Sequence, residues 1–353
     1  MNRPKKEIGT SGASIRGATL KDVAALAGVG PATVSVALHG SRSGTRVSEE
    51  TRRRIQKAAE ELRYRPNALA RSLKGGRTHI FGYYRYFSPG PPSAFDAEVI
   101  AGLQEGCNAE RMDLLLQGAF EGRSSQEVYA RLSDRRMDAL ILLTFPDDPL
   151  AEHLRGEELP VVAIADAIPG IPSVVADDAQ GGRLMAAHLY EKGHRDVVYI
   201  DLRRSPVSMA RRYAGFLSEA QAREMTVETY LTDNAGPPDW GVPAWDDPEF
   251  VALFSGESRG RRPTAFACWS DVGAIALRKR LQERGVRVPE EAAIIGFDGI
   301  ELYGMTLGGL TTISSPMLAV ARTAVSLLCQ RLRGEIVPEE TVLPVSLRPG
   351  DTT

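Results

Sequence analysis

The sequence predicts an α/β protein in which a small all-α domain precedes a larger domain of two lobes, each built on a parallel sheet. Residues 19–76 show apolar residues at helical spacing, interrupted by tight turns. From Thr78 onward, apolar runs of strand length alternate with segments of helix length, which is typical of parallel sheets covered by helices. Residues 1–77 carry 16 basic and 6 acidic side chains, whereas the rest carries 27 and 39. This partition predicts that only residues 1–77, the head of the chain, contact the phosphates of a nucleic acid.

The first 18 residues are basic and lack an apolar core, so we expect a disordered basic arm rather than a signal peptide. No apolar run approaches the roughly 20 residues that span a membrane, and we expect no membrane partner. The cysteines Cys107, Cys268 and Cys329 are far apart and odd in number, which fits neither a disulfide framework nor a zinc site. We therefore expect a reduced, cytoplasmic chain.

Two short helices and a tight turn follow the arm. Thr19 and Asp22 form a variant capping box, so the first helix begins near Leu20. Residues 28–30 interrupt it, and Pro31 suits the first position of a second helix that ends near Leu38. This is the pattern of a helix-turn-helix, whose second helix lies in the DNA major groove.

A third helix and a short fourth one complete the predicted head. Ser48 is a good N-cap for the third helix, whose basic run at 52–54 is either a solvated face or a DNA contact. Pro66 ends it, and Asn67 caps a short helix over 68–74. We therefore divide the chain into an arm (1–18), a helix-turn-helix domain (19–65), a hinge helix and linker (66–77) and a two-lobed domain (78–353).

The body contains eight candidate strands and six candidate helices. The strands are expected at 80–84, 113–116, 139–143, 161–165, 174–176, 197–201, 265–268 and 293–297, and the helices at 96–110, 126–135, 179–192, 208–222, 272–284 and 317–333. Eight strands are more than a single compact α/β lobe usually contains, which predicts two lobes. Ligands of open α/β sheets bind beyond the carboxyl ends of the strands, so we expect a binding cleft between the lobes.

Several motifs in order resemble the LacI/GalR family of bacterial transcription regulators. They are T-L-K-D-V-A from Thr19, A-G-V-x-x-x-T-V-S across the turn, V-S-E-E-T-R on the third helix and Y-R-P-N-A-L-A-R-S-L-K at the hinge. The body is similar to the family's effector domain, which is periplasmic-binding-protein-like, and L-T-T-I-S-S-P-M resembles its dimer-side crossover. The resemblance covers about residues 18–348. It implies a homodimeric repressor that binds a palindromic double-stranded DNA operator and a small-molecule effector, by expectation a carbohydrate.

The resemblance also implies which residues contact DNA. The positions that read bases are Pro31, Ala32 and Val36, which have no side-chain donor but can contact thymine methyl groups. The remaining contacts in the head, to phosphates and flanking groups, fall on Thr19, Leu20, Thr33, Ser35, His39 and Tyr64. At the hinge they fall on Asn67, Ala70, Arg71 and Leu73, with Leu73 as a minor-groove wedge between base pairs.

The loop over residues 39–47 is longer than the common family form. Arg42 and Arg46 either add backbone contacts or belong to a solvated loop.

The effector site implied by the resemblance centres on Arg212 and Asp298. The alternatives are a surface salt bridge for Arg212 and a helix cap for Asp298, and we interpret Asp178 as a helix N-cap rather than a ligand. Ser270 replaces an amide of the family pattern beside Asp271, which puts one polar contact in question. The other expected contacts are Phe95, Asp96, Ser208, Trp240, Trp269 and Met317.

Two unusual loops, at 84–95 and 233–250, are expected at the cleft entrance. Their aromatic residues Tyr84, Phe95, Trp240 and Trp245 either stack on a sugar ring or pack the loops onto the lobes.

Other functional classes find no support in the sequence. A G-x-G-x-x-G after a strand and a G-x-S-x-G are both absent, and the histidines lack metal-ligand spacing. We expect no catalytic residue, cofactor or metal. Two alternatives stay open, namely the same regulator controlled by a protein partner, and a sugar-binding protein without specific DNA binding. The chain shows no leucine heptad tail, which favours dimers over tetramers.

Overall fold

The computed structural model describes residues 18–39, 47–65, 76–85, 94–118, 122–203, 206–232, 247–257, 260–302 and 305–353. The chain divides into two compact units, residues 1–78 and 79–353. Each unit is described by itself below.

The first unit contains α1 (Leu20–Ala27), α2 (Pro31–His39) and α3 (Glu49–Glu61). The predicted capping box is confirmed, because the Thr19 backbone N–H donates to Asp22 at 2.7 Å and the Asp22 N–H donates back to the Thr19 hydroxyl. Gly28 ends α1 with φ 64, a left-handed conformation that glycine adopts without strain. The short turn sets α1 and α2 at 103°. The side chains of Val23, Val34 and Ile55 are fully buried between the three helices.

The second unit begins with a first lobe whose sheet is entirely parallel. Its strand order is β13-β5-β4-β3-β1-β2. The strands are β1 (Ile80–Arg85), β2 (Asp113–Gln117), β3 (Ala139–Leu143), β4 (Val161–Ile164), β5 (Ser173–Ala176) and β13 (Glu340–Leu343), and the helices are α4 (Ala94–Ala109), α5 (Ser125–Leu132), α6 (Pro149–Leu154) and α11 (Met317–Leu332).

The second lobe repeats this plan with one antiparallel edge. Its strand order is β14-β12-β9-β8-β6-β7, and only β14 runs against its neighbour. The strands are β6 (Asp196–Leu202), β7 (Thr226–Thr232), β8 (Ala265–Cys268), β9 (Ala293–Asp298), β12 (Thr311–Ser314) and β14 (Ser346–Arg348), and the helices are α7 (Asp178–Glu191), α8 (Val207–Ala222), α9 (Pro248–Ser255) and α10 (Asp271–Glu283). A two-stranded ribbon, β10 (Glu301–Leu302) with β11 (Met305–Thr306), follows β9.

The chain passes between the lobes at residues 176–178, 314–317 and 343–346. The segment that the resemblance identified as a crossover does cross, because β12 belongs to the second lobe and α11 packs into the first-lobe core against α4. Both lobes therefore depend on segments distant in sequence.

The predicted body elements all form, with ends that shift by a few residues, but the prediction missed several others. The missed elements are β7, the ribbon, β12, β13, β14, α6 and α9. The fold class, an all-α head followed by a two-lobed α/β unit, is confirmed.

Candidate functional site

One face of α2 is anchored and the opposite face is accessible. Val34 and Ala37 are buried in the core of the first unit. Pro31 and Ala32 at the start of α2 are exposed, and Thr33 and Val36 are partly exposed. The helix thus presents its first turn to solvent, as a recognition helix requires.

Arg52 connects two helices of this unit. Its Nη1 donates to the Ala37 carbonyl at 2.8 Å, close to the carboxyl end of α2. Arg53, in contrast, is exposed and lies 3.9 Å from Glu49. The basic run is therefore not merely a solvated face, because Arg52 fixes α3 against α2.

In the second lobe, the Arg212 side chain is buried and its guanidinium contacts protein groups on several sides. Only 6% of the residue is exposed, and its Nε and Nη2 donate to Oδ1 of Asp178 at 3.3 and 2.8 Å. Nη1 donates to the Trp269 carbonyl, and the guanidinium lies over the Phe297 ring at 3.2 Å from its centroid. A surface salt bridge was the wrong alternative, because α8 directs this side chain into the carboxyl ends of the strands.

Asp178 is not the N-cap of α7. Asp177 has that role, since its side chain accepts the Gln180 N–H at 2.9 Å, and Asp178 instead faces Arg212. The interpretation from sequence placed the cap one residue too late. The pKa of the Asp178 carboxyl is raised by burial, an effect that the Arg212 charge opposes.

Two further carboxylates lie within the electrostatic reach of Arg212. Asp271, at the start of α10, accepts the Thr312 hydroxyl at 2.5 Å and the Ile300 N–H at 2.8 Å, and burial raises its pKa to about 7. Asp298 ends β9 with φ 122, a conformation that side chains rarely adopt. Burial and then the charge of Asp271 raise the pKa of Asp298 well above its ordinary value. Asp298 thus forms one cluster with Arg212, Asp178 and Asp271, called the Arg212 cluster below. Its carboxyl also accepts the backbone N–H of Asp271, the first residue of α10, so the interpretation as a helix cap describes part of its role.

The first lobe meets this cluster directly. Asp166, which follows β4, accepts the Ser208 N–H of α8 at 2.7 Å. Glu340 of β13 forms a two-pronged ion pair with Arg211 of α8, at 2.5 and 3.0 Å. The carboxyl end of β4 and the amino end of β13 in the first lobe therefore both contact α8 beside the Arg212 cluster, where the sequence predicted a cleft.

Comparison with known proteins agrees with this architecture. The family described as "Bacterial regulatory proteins, lacI family" matches residues 19–67, "Periplasmic binding proteins and sugar binding domain of LacI family" matches 89–232, and "Periplasmic binding protein-like domain" matches 186–353. The HTH-type transcriptional repressor PurR of Aliivibrio fischeri (strain ATCC 700601 / ES114) is 33% identical over 333 residues, covering 90% of this chain and 92% of the relative. The chain belongs to the LacI family.

Solved structures of LacI-family proteins share the fold over nearly the whole chain. The Lac repressor dimer bound to operator and the anti-inducer ONPF has a TM-score of 0.76 at 24% identity, covering 96% of this chain and 99% of that one. The transcriptional regulator CelR in complex with cellobiose has a TM-score of 0.66 at 26% identity, covering 95% and 100%.

The predicted LacI-family effector residues fall into two groups. Ser208, Arg212, Trp269, Asp271 and Asp298 lie in or beside the Arg212 cluster, as described above. Ser270 caps α10 through the Gly273 N–H, Asp96 is buried and pairs with Arg85, Phe95 packs on the first-lobe core and Met317 is buried within it. The positions of the second group are held by internal contacts of the fold.

Two residues that sequence reasoning missed are Asp166 and Glu340. Asp166 follows a strand at its carboxyl end, so the same rule that placed the cleft could have found it. Glu340 lies on a strand that was not predicted.

Some LacI-family positions lie outside the described residues. They are the arm, the 40–46 loop with Arg42 and Arg46, the hinge residues Asn67, Ala70, Arg71 and Leu73, and the loop residues Trp240 and Trp245. Among the predicted DNA contacts that are described, Thr19 caps α1, Leu20 and Tyr64 pack on the core of the first unit, and His39 is the last residue of α2.

Over the described ranges, no group of three or more His, Cys, Asp or Glu side chains is arranged to hold a metal ion. In the same ranges, no single helix is long and apolar enough to cross a membrane, and only the bent pair α1–α2 passes that test as a pair. A small open hollow, which Asp196, Glu228 and Arg261 help to line, lies at the amino ends of β6 and β7, away from the Arg212 cluster.

Proposed function

We propose that this chain is a sequence-specific DNA-binding repressor whose operator affinity changes when a small molecule, a sugar or sugar derivative, binds between its two lobes. The observation that carries this proposal is the Arg212 cluster, which both lobes complete, in a chain whose first unit holds two helices at 103°. Similarity to PurR, to a CelR–cellobiose complex and to an operator-bound Lac repressor supports it.

At the DNA, we assign different tasks to the two recognition segments. Pro31, Ala32 and Val36 contact thymine methyl groups, while Thr33, Ser35, His39 and the flanking Thr19, Leu20 and Tyr64 fix the register on the backbone. The hinge residues Asn67, Ala70, Arg71 and Leu73 enter the minor groove. A homodimer then reads a palindrome, as the similar Lac repressor dimer binds its operator. Such a protein acts in the cytoplasm, on the nucleoid, and by binding rather than catalysis.

Regulation follows from linkage between the two sites. A ligand that favours one arrangement of the lobes changes operator affinity by a coupling free energy, typically about 1–3 kcal/mol. The sign of that coupling distinguishes an inducer from a corepressor.

The test is fluorescence anisotropy with a palindromic fragment from the chain's own promoter region, at several salt concentrations, with and without a panel of mono- and disaccharides. We expect a specific complex, a steep salt slope and one sugar that changes the affinity. The Arg212→Lys variant should lose the sugar response because a lysine lacks the planar fork. Arg223→Lys is the matched control, because Arg223 caps the carboxyl end of the same helix and pairs with Glu219.

Three outcomes are distinguishable. Loss of the response in R212K alone supports the proposal. Specific DNA binding that no sugar changes would favour control by a protein partner. Absence of specific DNA binding would exclude the regulator function and leave a sugar-binding protein.

A further inference from the structure

The charge of Arg212 is already neutralised inside the protein. Asp178 accepts hydrogen bonds from both Nε and Nη2, and the Trp269 carbonyl accepts one from Nη1. The Arg212 and Asp178 side chains are only 7% and 3% exposed, so water contributes little screening. An arriving ligand therefore meets an ion pair and not a free guanidinium.

The other charged groups around this pair are predominantly acidic. From α10, β9 and the first lobe come Asp271, Asp298 and Asp166, and the remaining cation, Arg211 of α8, is matched by Glu340. Backbone N–H groups of Ile300 and Ser208 stabilise Asp271 and Asp166. The described cluster thus holds more carboxylates than cations.

The raised pKa values of these carboxyls have the same origin. Burial raises the pKa of Asp166, Asp178, Asp271 and Asp298, and nearby carboxylates add to the effect at Asp178 and Asp298. Each of these carboxyls therefore binds a proton more readily than a carboxyl in water does, as expected where buried carboxylates outnumber cations.

An independent feature indicates that the cluster is built for a polar ligand. The Tyr199 hydroxyl is buried, finds no hydrogen-bond partner among the described residues, and interacts electrostatically with Arg212 and Asp178. The Trp269 Nε1–H, one residue beyond β8, also has no partner in the described part of the chain. Buried polar atoms of this kind are costly unless a ligand or water completes them.

Building on the proposed function, we propose that Asp178 sets the charge of the effector: the cleft selects a sugar derivative that carries a protonated amine and rejects a phosphorylated sugar. An ammonium group provides the acidic cluster with the cation that it lacks. A phosphate would lose its water next to carboxylates that outnumber the cationic side chains of the cluster, so like-charge repulsion would disfavour its binding.

The test compares probes that share one ring and differ in charge. The full-length chain is titrated calorimetrically with D-glucosamine, D-glucose and D-glucose 6-phosphate, and then with the corresponding galactose series. We expect the amine to bind at least tenfold more tightly than the neutral sugar in one series, and the phosphate to bind most weakly. Equal binding by all three, tighter binding of the phosphate, or no binding by either amine would overturn the inference.

Variants distinguish a specific effect of the Asp178 charge from the effect of removing any negative charge from the protein. Asp178→Asn removes the negative charge that neutralises Arg212 but keeps an acceptor oxygen, so we expect glucose 6-phosphate to gain at least tenfold in affinity while the amine loses affinity. Asp134→Asn is the control, since Asp134 lies at the surface beside Arg136. Should D178N fail to fold by circular dichroism, Asp298→Asn takes its place and should lower the preference for the amine. An unchanged order of probes in folded D178N would exclude the role of Asp178, and an unchanged order in D298N would exclude the acidic cluster as the origin of the preference.

Failure of this inference differs from failure of the regulator function. A neutral or phosphorylated sugar that binds and alters operator affinity would refute the amine preference alone. Absence of specific operator binding would refute the regulator, whichever probe binds.

Discussion

Asp271 shows how a single buried carboxyl links stability to pH. Both of its oxygens accept hydrogen bonds, from Thr312 and Ile300, yet burial raises its pKa to about 7. In an unfolded chain the pKa is about 3.9, so between pH ~4 and ~7 the folded state holds more protons than the unfolded state. The free energy of unfolding therefore decreases as pH rises through this window. Asp298, with its own raised pKa, acts in the same direction.

The Asp271→Asn variant removes this titration. We expect the native chain to lose about 2 kcal/mol more unfolding free energy than D271N between pH 5 and pH 8. Urea unfolding followed by tryptophan fluorescence at the two pH values measures the difference. Asp134→Asn, at an exposed position, should behave like the native chain. Equal losses in D271N and the native chain would show that Asp271 does not carry the effect.

At the scale of elements, α7 and α8 approach so closely that only glycine fits between them. A Cβ on Gly182 would lie 1.9 Å from the Arg212 carbonyl oxygen, and one on Gly215 would lie 2.0 Å from the Ala179 carbonyl oxygen. This contact holds Asp178 and Arg212 opposite each other, one on each helix.

Gly182→Ala should therefore separate the two helices. We expect a loss of about 3 kcal/mol or more, at the upper end of overpacking costs, and a lower melting temperature in differential scanning calorimetry. Gly118→Ala is the control, because a Cβ there meets nothing within 4 Å and its φ is ordinary. An unchanged melting temperature of G182A would mean that α7 and α8 can move apart without a loss of stability.

In the first unit, Arg52 joins α3 to the last turn of α2. Arg52→Ala should cost about 1.5–3 kcal/mol, the value of a hydrogen bond that involves a charged group, and weaken operator binding because α2 loses support. Arg53→Ala removes an exposed neighbour in the same run and serves as the control. Thermal melting and anisotropy measure both effects, and equal behaviour of R52A and R53A would contradict the assigned role.

The elements that could be predicted from sequence are those whose signal is local. The strands β3 and β8 begin and end where their apolar runs do, and the capping box of Thr19 fixes the start of α1. The edge strands β7 and β13 were missed because their residues are only partly buried, so polar side chains interrupt the apolar pattern.

The same limit applies to the site. Adjacent aspartates at 177 and 178 satisfy one local capping rule equally well, and what distinguishes them is Arg212, 34 residues later in the chain. Asp166 depends on Ser208 in the same way, 42 residues away. Contacts of this range arise from the topology, which a local pattern does not encode.

At the scale of the whole second unit, two contacts join the lobes beside the Arg212 cluster. One is the Ser208 N–H donating to Asp166, and the other is the ion pair of Arg211 with Glu340. The side chains of that pair are 39% and 32% exposed, so it adds about 0–1 kcal/mol to stability. A free energy of this size scarcely affects folding but is large enough to shift an equilibrium between closed and open lobes.

The Arg211→Ala variant should therefore open the lobes without unfolding them. The Ser208 amide is protected only while Asp166 accepts its hydrogen, so its exchange with deuterium should accelerate up to about fivefold in R211A. The charge-swapped double variant R211E/E340R should restore protection, because it recreates the pair with opposite polarity. Arg223→Ala removes an ion pair that lies within the second lobe and should leave Ser208 unaffected. Mass spectrometry of the peptide around Ser208 measures the rates. If R211A and R223A exchange alike, the Arg211–Glu340 pair does not hold the lobes together, and closure then depends on the Asp166 contact and the ligand.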